Sequence, residues 1–314
     1  MSVRCILCGS ARKGVVRPRV RYGIKRKVFK CASCGMVYLE PKKQGMHQFY
    51  TGKMYRAKYG PVLGKASVAK AVFDMYRPYQ GPIVDELKAV LRKDMSVLDV
   101  GCSAGQFLHA LKGRVRTRVG LELSADEVAF IRKNLDFPVY DEPIESTVIK
   151  ECPFDLITCL QTLEHVEDPI DFLEALRKNL KPNGYLYLEL PNINDVLLTQ
   201  YKSAGYADFY YREPHLSYFS KKTLADALHK AGFTGKIATI QRYNVLNHSH
   251  WIQTGQPQPD FTAGNSVPVL VSKQKDAVGK ELNNFIKYVD VRYKKLLQKH
   301  GLGESLTFLG KKTR

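Results

Sequence analysis

Apolar and polar positions divide the chain into stretches with different periods. In residues 9–30, β-branched and aromatic positions such as Val15, Val20 and Phe29 predict short strands that break at Gly23. Apolar residues at helical spacing follow over residues 67–91. After residue 95, short buried runs alternate with helical segments, as in MSVLDVGCSAGQFLHAL. This alternation predicts an α/β domain with a mainly parallel sheet.

The turn after the first buried run carries candidate binding chemistry. Gly101 and Gly105 follow the predicted strand and precede a helix that is expected to begin near Gln106. Glycines let backbone amides approach a ligand, and the N-terminus of a helix favours an anionic group. A second predicted strand ends at Glu122, and an acid in that position can accept both hydroxyls of a ribose. The ordered pair of glycine turn and acid predicts a nucleotide-like cofactor.

Four segments extend this pattern in a fixed order between residues 93 and 235: LDVGCSAGQF, VGLELS, FDLITCLQTLEHVEDP and LKPNGYLYLELPN. Together they resemble the class I S-adenosylmethionine-dependent methyltransferases. The resemblance implies a Rossmann-like, seven-stranded methyltransferase sheet and S-adenosyl-L-methionine as the cofactor. By resemblance, seven residues line that cofactor: Asp99, Gly101 and Gly105 at its methionine end, Glu122 at the ribose, Leu123 at the adenine, and Leu160 and Gln161 near the substrate.

The N-terminal cysteines predict a structural metal. Cys5 and Cys8 form one CxxC pair, Cys31 and Cys34 form a second, and a glycine follows each pair. Zinc takes four ligands in a tetrahedron, and each pair supplies one edge of it. Four thiolates close the site, so a structural Zn²⁺ is expected rather than a catalytic one. An odd total of seven cysteines fits metal-bound thiolates in a reducing cytoplasm better than a disulfide framework.

Charge is unevenly distributed along the chain. The net charge is +19, and residues 1–60 hold 15 lysines and arginines against one acid, whereas residues 93–192 hold 11 basic and 17 acidic side chains. Arg17, Arg19 and Arg21 alternate, so on a strand they would share a face. Such a face either attracts a polyanion, for example RNA or a phosphorylated acceptor, or is an ordinary solvated surface. No run of 18 apolar residues is present, so no membrane span is expected, and the N-terminus lacks the apolar region of a secretion signal.

Segments toward the two ends of the chain narrow the class of molecule that would accept the methyl group. The CxxCG pairs followed by FYTGKMYRAKY, and the segment REPHLSYFSKKTLADALHKAGF, resemble methyltransferases of surface-polysaccharide and modified-sugar pathways. Sugar C-methyltransferases share the ribbon, but they commonly carry an acid where this chain has Pro214. The resemblance therefore implies transfer to an oxygen, or a nitrogen, of a sugar, nucleotide-sugar or glycolipid intermediate.

Two histidines are candidate general bases for such a transfer. His165 follows the fourth predicted strand of the domain, where ligands of α/β sheets bind, and His215 lies in the segment after the fifth. The alternative for each is a structural histidine that hydrogen-bonds to its own loop and stabilises the loop conformation. Glu164 and His165 also resemble the pair in ubiquinone-pathway O-methyltransferases, where a divalent metal has been implicated.

Three domains are predicted: a zinc ribbon over 1–45, a helical lid or linker over 46–92, and the Rossmann-like domain over 93–314, with substrate-loop insertions after residue 192 and in 244–300. Tyr50, Tyr55 and Tyr59 fall in the second and would either cover the cofactor or simply pack. The alternative function is an RNA methyltransferase whose basic ribbon holds RNA. Against it, no NPPY-like tetrapeptide follows the fourth strand, where CLQTLEH stands. A non-enzymatic cofactor-binding protein is a third, weaker hypothesis.

Overall fold

The computed structural model describes residues 3–42, 69–259, 264–265, 271–274 and 276–313. The predicted tyrosine lid lies outside these residues. The strands are β1 (Lys13–Val20), β2 (Ile24–Cys31), β3 (Val37–Leu39), β4 (Ser96–Val100), β5 (Thr117–Leu121), β6 (Val139–Tyr140), β7 (Phe154–Leu160), β8 (Leu180–Pro191), β9 (Ser217–Tyr218), β10 (Phe233–Ile240) and β11 (Ser305–Lys312). The helices are α1 (Ala69–Tyr76), α2 (Gly81–Leu87), α3 (Gln106–Ala110), α4 (Ala125–Asn134), α5 (Pro169–Asn179), α6 (Val196–Thr199), α7 (Ala204–Tyr210), α8 (Lys221–Lys230), α9 (Val245–Thr254) and α10 (Ala277–Lys299).

Seven strands form the larger sheet in the order β10-β11-β8-β7-β4-β5-β6. The pairs β8/β7, β7/β4, β4/β5 and β5/β6 are parallel. The chain moves outward through β5 and β6 on one side of β4 and through β7 and β8 on the other, so the strand order reverses between β4 and β7. Ligands of open α/β sheets bind beyond the carboxyl ends of the strands at this reversal. The predicted α/β class and seven-stranded sheet are confirmed.

The apolar runs of the sequence become the core around the central strands. Every residue of β4 is buried, as expected for a parallel strand covered on both faces. Val97 packs in one cluster with Leu108 of α3, Ile131 of α4 and Leu156 of β7. Helices α3 and α4 therefore pack against β4, and the turn that follows starts from a buried strand.

The smaller sheet contains the N-terminal ribbon and has the order β1-β2-β3-β9. The β1–β2 hairpin turns through Arg21–Gly23, and the backbone at Gly23 has φ +70°, so the predicted break is confirmed. The fourth strand comes from far along the chain, because Val37 pairs with Tyr218. That pairing places the segment around His215 against the ribbon rather than in an open loop.

Two compact units make up the chain. The ribbon unit contains residues 1–41, 190–224 and 237–307, and the sheet unit contains residues 42–189, 225–236 and 308–314. Both are assembled from separated segments, and the predicted boundaries at residues 45 and 92 stay a prediction. Among the described residues, no helix combines the length and apolar character that a bilayer span requires.

Candidate cofactor and metal sites

The turn after β4 has a backbone that suits close approach by a ligand. Gly101 has φ +76° and Gly105 has φ +81°, a left-handed conformation that glycine adopts without strain. A Cβ on Gly101 would lie 2.2 Å from Oγ1 of Thr162, so no larger residue fits. Gly105 caps the N-terminus of α3, which begins at Gln106 as predicted. The turn therefore places main-chain groups at the point where the strand order of the sheet reverses.

Glu122 organises this turn from the end of the neighbouring strand. One carboxylate oxygen accepts a hydrogen bond from the backbone N–H of Ser103 at 2.8 Å, and the other accepts from the N–H of Ser124 at 2.9 Å. A carboxylate offers about four lone-pair sites, so a strand-end acid is chemically suited to accept from ribose hydroxyls as well. Ser103 has φ +51°, a strained value for a residue with a side chain, and its hydroxyl donates to buried Glu127 on α4 at 3.0 Å. The sequence pattern did not single out Ser103 or Glu127.

Asp99 is buried at the end of β4 beside a threonine of the adjacent strand. Asp99 and Thr158 are direct neighbours in the parallel register, and the threonine hydroxyl donates to the carboxyl group at 2.6 Å. Burial raises the pKa of Asp99 to about 7, opposed by the Thr158 hydrogen bond and assisted by the nearby charge of Glu122. The sequence offered a signal for Thr158, since it is the lone hydroxyl residue flanked by apolar residues in LITCL.

The raised pKa of Asp99 predicts a pH-dependent stability of the cofactor-free protein. Between the ordinary pKa of 3.8 and the folded value of about 7, the folded state holds a proton that the unfolded state has lost. Stability therefore falls as pH rises through this window and levels off above it. We expect Asp99→Asn, which keeps an acceptor for Thr158, to gain on the order of 3 kcal/mol relative to the native chain between pH 5 and pH 8. Urea unfolding at several pH values measures this, and a constant difference would contradict it.

The remaining predicted cofactor residues lie at the ends of β5 and β7. Leu123 directly follows Glu122 and is half-buried. Leu160 ends β7 and packs against the core cluster of the sheet unit. Gln161 has φ +53°, and its backbone N–H donates to the carbonyl of Glu189 at 2.6 Å, which fixes this turn to β8. The predicted roles of these three residues toward the cofactor stay predictions.

His165 lies in a short 3-10 turn, Leu163–His165, beyond the carboxyl end of β7. Its Nε2 is 3.8 Å from a carboxylate oxygen of Glu164, a side chain that is 1% exposed, whereas His165 itself is 13% exposed. The helix that follows begins as the sequence indicated, with Pro169 in its first turn and the side chain of Asp168 accepting from two backbone amides. A buried carboxylate beside an imidazole stabilises its protonated form.

His215 has a different environment in the ribbon unit. It is buried just before β9, and its Nε2 accepts a hydrogen bond from Nε of Arg212 at 2.8 Å. Because a guanidinium only donates, the proton of the neutral ring lies on Nδ1. Taking up a second proton at Nε2 would break this hydrogen bond. His248 is likewise buried in the ribbon unit, where its ring nitrogens contact Gln241 and Tyr293.

The ribbon arginines have partners within the ribbon unit. Arg17 pairs with Asp208, and the guanidinium of Arg21 lies 4.0 Å from the ring centre of Phe209. Arg19 donates to the carbonyl of Gly23, and buried Arg26 donates to the carbonyl of Glu40. The predicted shared face on one strand is wrong for Arg21, which lies in the 3-10 turn after β1, and β1 is irregular between Arg17 and Arg19. These side chains instead contact the hairpin and the segment around α7. Other basic side chains of the ribbon are exposed, among them Arg4, Arg12, Lys25, Lys27 and Lys30.

The four ribbon cysteines converge as the spacing predicted. Their sulfur atoms lie within 4.8 Å of one another, with Cys5 to Cys34 and Cys8 to Cys31 both at 3.6 Å. A tetrahedron of sulfurs at a zinc–sulfur distance of about 2.3 Å has edges of about 3.8 Å. Each CxxC turn is closed by the N–H of the following glycine, which donates to the carbonyl of the first cysteine. The donor set and its dimensions fit a closed tetrahedral zinc site.

Comparison with known families agrees with the sheet and the glycine turn. Residues 74–236, about half of the chain, match the family model described as a methyltransferase domain. The chain belongs to this methyltransferase family. S-adenosylmethionine is the cofactor of the fold, and it supplies an electrophilic methyl group on a sulfonium. The left-handed glycine turn after β4 and the carboxylate of Glu122 beside it fit that cofactor.

Curated relatives of this methyltransferase match only in part. The chain is 32% identical over 117 residues to a ubiquinone biosynthesis O-methyltransferase of Pseudomonas paraeruginosa, which covers 35% of this chain and 50% of the relative. It is 39% identical over 100 residues to the mitochondrial ubiquinone biosynthesis O-methyltransferase of Schizosaccharomyces pombe, which covers 29% and 36%. The chain thus spans half or less of the length of the curated relatives it matches.

The chain also matches solved structures that are described as S-adenosylmethionine-dependent methyltransferases. One from Archaeoglobus fulgidus is 19% identical with a TM-score of 0.49, and the match covers 75% of this chain and 94% of that one. One from Clostridium acetobutylicum is 12% identical with a TM-score of 0.45, and the match covers 76% and 92%.

Proposed function

We propose that this methyltransferase transfers a methyl group from S-adenosylmethionine to a hydroxyl oxygen of a small-molecule acceptor, with His165 as the general base. The single observation that carries the proposal is the placement of His165 beyond the end of β7, in the same unit as the glycine turn and beside buried Glu164. A hydroxyl must lose its proton as the new bond forms, and an imidazole next to a carboxylate is suited to accept it.

His215 is the second candidate base, and its surroundings favour a positioning role. Its Nε2 already accepts from Arg212, so proton uptake there would cost a buried hydrogen bond. His165 has the buried carboxylate of Glu164 within ion-pair distance of its Nε2. The difference between the two environments favours His165.

Oxygen rather than nitrogen as the methylated atom is supported by the curated relatives, whose names describe O-methyltransferases. The acceptor itself was predicted to be a sugar, nucleotide-sugar or glycolipid. That part rests on segments at the two ends of the chain and gains no support from relatives named for ubiquinone biosynthesis. The RNA alternative gains no support from the curated relatives, and several ribbon arginines that would hold RNA make intramolecular contacts instead.

The ribbon is proposed to hold a structural Zn²⁺ through Cys5, Cys8, Cys31 and Cys34. The support is the set of sulfur–sulfur distances, which match a zinc tetrahedron. Such an ion would have no open coordination position and therefore no part in the transfer.

Replacement of each histidine tests the assignment of the base. We expect His165→Ala to retain cofactor affinity within about twofold and to lose about 100-fold or more in turnover, as typical for a general base. We expect His215→Ala to lower turnover far less. It should lower the free energy of unfolding, because the hydrogen bond from Arg212 is lost. Turnover is followed as S-adenosylhomocysteine formation, and cofactor affinity is measured by calorimetry. Full activity of His165→Ala would remove it as the base.

A further inference from the structure

The longest helix of the ribbon unit, α10, carries an apolar stripe that the described residues of the chain leave exposed. The helix buries one face through Gly279, Asp290 and Leu297. Beside that face, large apolar side chains are exposed: Val278 is 64%, Leu282 49%, Phe285 62% and Leu296 54% exposed. An exposed apolar stripe of this length on a helix is a feature of interaction surfaces.

The stripe has the spacing of a two-stranded coiled coil. Its positions are 278, 282, 285, 289, 292 and 296, so successive intervals alternate between four and three residues. This is the a/d pattern that lets two helices pack knobs into holes. Five of the six positions are apolar, and the sixth is Arg292. A seam of this kind fits another helix better than a flat surface.

We propose that the stripe on α10 is the interface of a homodimer, in which α10 packs antiparallel against α10 of a second copy. An antiparallel two-fold arrangement brings Val278 opposite Leu296 of the second copy and Phe285 opposite Val289 of the second copy. Arg292 then lies against Leu282 of the second copy, and its guanidinium reaches the edge of the seam. A parallel arrangement in register would stack Arg292 on Arg292 of the second copy.

Charge complementarity along one edge of the seam supports this orientation. Glu281, Tyr288 and Lys295 occupy the equivalent flanking position of three successive heptads and are all exposed. In the antiparallel pair, Glu281 meets Lys295 of the second copy, Lys295 meets Glu281 of the second copy, and the tyrosines meet at the two-fold axis. Within one helix, Glu281 and Lys295 are about 21 Å apart, so they cannot pair with each other.

A lipid surface fits the same stripe less well. At about 100° per residue, Lys280 and Lys287 lie about 160° and 180° around the helix from the stripe. They would point away from anionic headgroups, and the cations nearer the stripe, Arg292 and Lys295, share that edge of the helix with the acid Glu281. Lys294, also on the far side, pairs with Asp290 at 3.0 Å.

A reciprocal charge exchange tests the proposal on the full-length protein. The dimer dissociation constant is measured by sedimentation equilibrium for the native chain, Glu281→Lys, Lys295→Glu and the combined variant. Each single exchange creates two like-charge contacts per dimer, and we expect it to weaken association about tenfold. The combined variant should return to within about twofold of the native value. Lys287→Glu, on the opposite face of α10, is the matched control and should leave the constant unchanged.

Two results would overturn the proposal. One is a native chain that stays monomeric up to about 100 µM, where a specific dimer should be populated; vesicles of phosphatidylglycerol that bind this monomer would assign the stripe to lipid instead. The other is a combined variant as weak as the single exchanges. Far-UV circular dichroism on every variant confirms that the exposed substitutions leave the fold intact.

Discussion

The variant Glu122→Ala is expected to lose S-adenosylmethionine affinity by about 100-fold or more. The carboxylate directly follows β5, and it is the acid that the family resemblance assigns to the ribose hydroxyls. Two hydrogen bonds donated to a charged acceptor contribute about 3 kcal/mol or more when the partner groups are otherwise left unpaired. The substitution also removes the acceptor for the amides of Ser103 and Ser124, so the glycine turn loses its organisation. Calorimetric titration of the cofactor measures the loss.

Two controls distinguish cofactor binding from general damage. Glu145→Ala removes an exposed acid of the same unit and should bind the cofactor normally. Glu122→Gln keeps one oxygen acceptor and should show an intermediate affinity. Thermal unfolding of each variant records the contribution of the two backbone contacts. An affinity for Glu122→Ala equal to that of Glu145→Ala would remove Glu122 from the cofactor site.

The largest effect on stability is expected from removal of the proposed zinc. Cys31 is 1% exposed and lies in the cluster of four sulfurs. Structural zinc contributes about 10 kcal/mol or more to the folding of small zinc modules at neutral pH. We expect Cys31→Ser, or treatment with a strong chelator, to lower the melting temperature by about 10 °C or more.

Metal content is the direct readout for this prediction. Elemental analysis should find one zinc per native chain and less than about a tenth of that in Cys31→Ser. Cys152→Ser is the control, because Cys152 lies in the sheet unit, outside the cluster. It should keep the full zinc content. Equal zinc in the native chain and in Cys31→Ser, or none in either, would contradict the assignment.

The sheet and its glycine turn were predictable because their signals are local. A buried strand, two glycines and a strand-end acid occupy fewer than thirty residues, and each follows from backbone geometry. The same holds for the cysteines, since CxxC spacing alone limits where two sulfurs can point. The glycine turn and the CxxC pairs were predictable because each depends only on where a short segment can place its own atoms.

Contacts between distant segments were not predictable from the same patterns. Alternation placed Arg17 and Arg21 on one face of a strand, but it could not reveal Asp208 and Phe209, about 190 residues away, as their partners. The sequence suggests that His215 lies in a loop. In the structure it lies just before β9, where Tyr218 extends the ribbon sheet. Thr158 stands out in its strand, but its pairing with Asp99 was not predictable, because the register between β4 and β7 depends on the whole sheet.

Transfer of a labelled methyl group tests the central claim most directly. The native chain and Glu122→Ala are incubated with S-adenosylmethionine that carries a trideuterated methyl group, together with either the small-molecule fraction or the total RNA of the source cells. Mass spectrometry of both fractions then locates the label. The proposed function predicts label on a hydroxyl oxygen of a small molecule, absent with Glu122→Ala. Label found in RNA alone, or in neither fraction despite cofactor binding, would contradict it.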